Sequence, residues 1–142
     1  MESNGEENRG EVPKTPLENN YMAGAMLANG ISFVWLQLLT LLGPTASNAP
    51  MELLVDLSYI IFIAAGYISS TQVLKRTETD HLKVGLKTAF YSSIMGLLIV
   101  YSLLREPTMR LAASISLCYF AGSILASYRA VKRRIYSEET TT

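Results

Sequence analysis

The residues able to do chemistry are few, and their spacing narrows what that chemistry would be. Glu52 and Asp56 stand four apart, which puts two side chains on one face of a helix. A carboxylate held at membrane depth can carry a proton, bind a cation or meet a cationic substrate. The plainer reading is an interfacial first turn, with Asp56 paired to Arg110 or Arg105, since no second buried acid is present to form a relay. Lys87 is the matching candidate of opposite charge. It would serve as a counter-charge in transport, or simply snorkel to the nearer headgroups. Asn29 and Gln37 are eight apart, about two helical turns, and so lie on similar faces. They would line a pore or bond to neighbouring helices, and the bulk of Phe33 and Trp35 beside them favours bonding.

Other patterns point to binding rather than reaction. Arg129, Lys132, Arg133 and Arg134 form a basic cluster suited to anionic lipid headgroups, although a plain topology signal needs no such role. Glu78, Asp80 and His81 are metal-ligand types close together. Their spacing matches no defined site and Lys75, Arg76 and Lys83 oppose a cation there, so no metal is expected. The single histidine excludes bis-histidine haem ligation within one chain, and the single cysteine, Cys118, excludes an internal disulfide or a site of several thiolates. No nucleophile motif, phosphate-binding glycine loop or family-specific motif is visible. The chain is expected to be no enzyme and to hold no cofactor.

The elements that must position these residues are long and apolar. Leu111 to Tyr128 carries no charge, and four basic residues follow by Arg134. Eighteen helical residues reach roughly 27 Å, close to the hydrocarbon thickness of a bilayer. Small residues recur in it at every fourth place, Ser114, Cys118, Gly122 and Ala126, the spacing that lets membrane helices approach closely. Stepping by four drifts about 40° each time, so this seam suits a crossing helix over only part of its length. It would serve a dimer or, more plainly, packing inside the chain against small residues of spans one and three, such as Gly24, Ala28, Ser32, Ala89, Ser93 and Gly96.

Three more spans precede it, at about 21–42, 51–73 and 84–104. Asn19 and Asn20 are placed to cap the first. That span is too long for a typical apolar signal region, and it is expected to stay in the chain. Residues 1–20 hold five acidic and two basic residues and few apolar ones, which predicts a disordered tail. Residues 135–142 are predicted to form a short, frayed end.

Composition agrees with this architecture. Of 142 residues 49% are hydrophobic and 17% charged, against about 25% charged in a soluble domain. Twelve basic and twelve acidic residues cancel, so no bulk field argues for nucleic acid. The basic residues are unevenly placed: ten lie beside the ends of spans that four crossings put on one side, and two, Arg105 and Arg110, lie on the other. The rule that basic loops stay inside then puts both termini in the cytoplasm. Short matches, Ala65-Gly66-Tyr67-Ile68 with Ala121-Gly122-Ser123-Ile124 and Leu41-Leu42-Gly43-Pro44-Thr45 with Leu103-Leu104-Arg105-Glu106-Pro107-Thr108, suggest two related hairpins.

The expected fold is an all-α integral membrane protein, four transmembrane helices in a compact bundle. The leading functional expectation is a small non-enzymatic accessory or structural subunit, packing in the lipid bilayer with itself or a larger membrane complex. The alternative is a small homo-oligomeric transporter or channel with Asp56 near its pathway.

Overall fold

The structure, a computed structural model, describes residues 18–43, 50–77, 80–103 and 109–139. It is all-helical there: α1 is Glu18–Leu42, α2 Met51–Leu74, α3 His81–Leu103 and α4 Met109–Glu139. Each is long and apolar enough to cross a membrane. Because a bilayer core offers no water to backbone groups, helices that satisfy their own hydrogen bonds are the natural spanning form for such segments.

The helix ends differ in detail from the sequence reading. Asn19 and Asn20 lie inside α1 rather than capping it, and Asn20 Oδ1 instead accepts a bond from Arg76 Nη1 at 3.2 Å, tying the start of α1 to the end of α2. Helix α4 runs on to Glu139, where a frayed tail was expected. Its basic stretch is therefore a continuous helical extension of the span. Pro50, with extended backbone, precedes α2, and its carbonyl takes the N–H of Leu53. Asp80 enters α3 with φ 55, a left-handed conformation that aspartate tolerates better than most residues, and its carbonyl accepts Val84 N–H. Of the expected disordered tail at 1–20, residues 18–20 form the start of α1, while the rest of it, Ser47, Glu78 and Arg105 lie outside the described residues.

Around the bundle the helices follow the order α1, α2, α4, α3, with α1 and α4 on the wider diagonal. Two apolar clusters fill the interior. One joins Ala28, Phe62, Ala65, Val100, Ile115, Cys118 and Tyr119. The other joins Tyr21, Val73, Leu74, Val84 and Ala126. Both draw α2 and α4 together with residue numbers rising in parallel, so these neighbours run the same way.

Between the clusters lies a layer of small and hydroxylated residues: Gly24 on α1, Ser69 and Ser70 on α2, Thr88 and Ser92 on α3, Gly122 and Ser123 on α4. Small side chains there let the backbones close up. The large apolar residues point the other way: Val34, Leu41, Ile60, Leu98, Leu117 and Leu125 are all exposed on the outside of the bundle. Apolar outside and small or polar inside reverses the pattern of a soluble domain and is what a lipid-facing bundle needs.

Candidate functional site: the polar interior and the basic rim

At Gly66 and Gly122 the backbones of α2 and α4 approach closely. A Cβ on Gly122 would collide with the Ile63 carbonyl and would stand 2.7 Å from Tyr67 N. A Cβ on Gly66 would stand 2.8 Å from the Tyr119 carbonyl oxygen. The contact is reciprocal, each glycine meeting the carbonyl three residues before the other. Gly122 is thus committed to α2, whereas spans one and three were the expected partners of the seam. The reason is that α2 carries its own glycine at the crossing level, so these two backbones approach closely. Cys118 and Ala126 are buried in the two apolar clusters. Ser114, only half-buried, turns back and donates to the Arg110 carbonyl at 2.8 Å. The seam therefore meets other helices over its later part, as the rotational drift of four-residue steps requires.

Hydrogen bonds stitch this layer across every helix. Asn29 Nδ2 donates to the Ala25 carbonyl at 2.8 Å and to the Ser92 carbonyl on α3 at 3.0 Å. Gly96 makes room for it, since a Cβ there would stand 3.0 Å from Asn29 Oδ1. Tyr119, fully buried on α4, reaches across the diagonal to α1. Its hydroxyl is 2.7 Å from Ser32 Oγ, 3.3 Å from Asn29 Oδ1 and 3.4 Å from the Ala28 carbonyl. Ser69 Oγ donates to the Gly24 carbonyl at 2.6 Å, and Ser70 Oγ to Ser123 Oγ at 2.6 Å. Trp35 Nε1 donates to Ser58 Oγ at 2.9 Å, joining α1 to α2 nearer their other ends. Thr88 and Ser127 satisfy themselves on carbonyls of their own helices, Val84 and Ser123. Ser93 Oγ is buried and, among the described residues, has no partner.

This interior is neutral. Among the described residues every buried polar side chain is an Asn, Ser, Thr or Tyr, and none carries a charge. Among the described residues Ser32, Ser69, Ser70 and Ser127 bond to carbonyls and hydroxyls. Neutral donors and acceptors of this kind hold helices together.

The charged candidates lie outside it. Glu52 and Asp56 are exposed on α2, and Arg110 is exposed on α4. Among the described residues no ion pair joins Asp56 to Arg110, and Arg105, the other expected partner, lies outside them. Gln37 is exposed and apart from Asn29, which alone of the two enters the core. Eight residues rotate the side chain about 80° beyond two full turns, which carries Gln37 off the inward face that Asn29 holds. Lys87, also exposed, places Nζ 5.0 Å from the ring centroid of Tyr21, which stacks on Tyr91 with centroids 5.9 Å apart. Among the described residues no group of three His, Cys, Asp or Glu could hold a metal ion. Glu78, one of the three metal-ligand types, lies outside them.

The basic rim has more structure. Arg129 Nη1 donates to Tyr67 OH at 3.2 Å, linking α4 to α2. Lys132 Nζ lies 5.8 Å from the ring centroid of Tyr136. Arg133 shares a small hollow between the two helices with Lys75. Arg134 is exposed on the same helical extension.

The sequence reading did not single out Tyr119, Ser70, Ser92 or Ser123. Tyr119 sits inside an uncharged run where one aromatic residue looks like any other. The available signal was periodic: Ser69 and Ser70, three and four residues after Gly66, and Ser123 with Ser127, beside Gly122, mark helix faces of small polar residues next to glycine. Comparison with protein-family models, with curated proteins and with solved structures returns no match. The four helices fit a small multi-pass membrane protein.

Proposed function

We propose that this chain is a non-enzymatic accessory or structural subunit of a membrane, working through helix packing with itself or a larger membrane complex. The observation that carries the reading is the filled, neutral interior. Its hydrogen bonds join α1 to α3, α1 to α4 and α2 to α4, and no charged side chain among the described residues is buried there. What remains for interaction is the outer surface, apolar around the spans and basic at one rim. In this reading the termini and the α2–α3 connection face the cytoplasm, because ten of the twelve basic residues lie on that side. The reciprocal crossing of Gly66 and Gly122 supports a bundle made of two related hairpins, α1–α2 and α3–α4.

A second reading rests on Asp56. It is exposed, about 7 Å into a helix that would cross the membrane. In a homo-oligomer that carboxylate would face another copy and stand near a transport pathway.

Gentle extraction of the tagged full chain from its own membrane, followed by native mass spectrometry, separates these readings. The accessory role predicts recovery in a stoichiometric complex with other membrane proteins or with itself. A lone monomer under conditions that preserve known complexes would overturn it. A homo-oligomer whose substrate uptake is abolished by Asp56→Asn would favour transport.

A further inference from the structure

A groove of about 540 Å³ runs between α2 and α4 on the outside of the bundle. Its walls are Ile60, Ile63 and Ala64 on one side and Leu125 on the other. At one end stand Tyr67, Arg129 and Lys132. We propose that this groove is a binding site for one anionic glycerophospholipid, with an acyl chain along the apolar walls and the phosphate at Arg129 and Lys132.

The dimensions suit that occupant. Gly66 and Gly122 cross at one level. Ile60 lies six residues before it and Arg129 seven residues after it, so the groove is roughly 20 Å long. A single leaflet of hydrocarbon is roughly 15 Å thick. The polarity is one-ended, as a lipid is. Apolar wall lies toward the middle of the span, and cations lie only where the uncharged run of α4 ends. Among the described residues no acidic side chain lines the groove or the adjoining hollow, where Lys75 and Arg133 add two more cations. A zwitterionic lipid would leave that charge uncompensated, whereas a net anionic one neutralises it. Tyr67 holds Arg129 over the groove through its hydroxyl, leaving further guanidinium N–H groups to donate to a phosphate.

The proposal takes the membrane setting from the function proposed above, but its test in detergent is independent of topology and of any partner. The purified full chain is titrated with phosphatidylglycerol and with phosphatidylcholine of the same acyl chains, and bound lipid is counted by native mass spectrometry. Helix content by circular dichroism checks that each variant is folded. The wild type should hold phosphatidylglycerol at least tenfold more tightly than phosphatidylcholine. The double change Arg129→Gln/Lys132→Gln should remove that preference. Ala64→Trp, which fills the groove and leaves the charges, should weaken both lipids at least fivefold. Lys83→Gln, on the exposed face of α3, should change neither. Equal binding of the two lipids would overturn the proposal. So would phosphatidylglycerol binding that survives Ala64→Trp, which means adsorption by charge alone. A dimer that Ala64→Trp dissociates without any loss of lipid would show that a second copy of the chain fills the groove, and would overturn it as well.

Discussion

Tyr119 is the residue on which the interior turns. Its hydroxyl lies on the wider diagonal of the bundle and meets Ser32, Asn29 and the Ala28 carbonyl, all on α1. Removing it leaves Ser32 bonded to Ala28 and Asn29 Nδ2 bonded to Ser92, so only the link between α1 and α4 is lost. Interhelical hydrogen bonds in membrane proteins average about 0.6 kcal/mol, with an upper range near 1.7. Tyr119→Phe should therefore lower bundle stability by about 0.6–1.7 kcal/mol, measured by reversible unfolding in mixed detergent micelles. A double-mutant cycle with Ser32→Ala should return most of that as coupling energy. Additive effects would mean that the two hydroxyls do not act together. Gln37→Ala, on an exposed side chain, should change stability by less than about 0.5 kcal/mol.

At the scale of helices, the contrast between two glycines is the sharpest consequence. Gly122 faces the backbone of α2, which cannot yield as a flexible side chain does. Gly30 has nothing within 4 Å of where its Cβ would be. Gly122→Ala must push α2 and α4 apart, at a cost of about 1–3 kcal/mol for overpacking. Gly30→Ala meets open space and should leave stability unchanged or raise it by about 0.5–1 kcal/mol through helix propensity. Thermal unfolding of the two variants in the same detergent tests this, and equal losses would mean that α2 and α4 do not cross at Gly122.

The same contrast shows how far the helices were legible. Four spans are readable because uncharged runs of about twenty residues have few other uses. Their lateral arrangement is not, because small residues recur on every span and only contact decides which pairs meet. Ser114, Cys118, Gly122 and Ala126 marked the right helix, yet the partner of Gly122 is Gly66 on α2 rather than the small residues of α1 or α3. Asp56 and Arg110 illustrate the limit for charges. Both are visible in the sequence, but pairing depends on helix rotation, and both side chains face outward here without meeting. The helical continuation to Glu139 was hidden because polar residues beyond a span look alike whether helical or frayed.

At the scale of the whole molecule, four spans and a neutral polar interior go together with a basic rim that the proposed topology puts on the cytoplasmic side. The charge asymmetry and the hairpin order bind them into one topology. If it were inverted or one span failed to cross, the rim and its groove would lie in the wrong leaflet. The most direct test is cysteine labelling in intact cells of the full chain carrying Cys118→Ser, with single cysteines at Ser47 and at Thr79. A membrane-impermeant maleimide should label the Ser47→Cys chain from outside and reach the Thr79→Cys chain only after the membrane is opened. Equal accessibility of the two positions in intact cells would contradict the four-span topology on which the account rests.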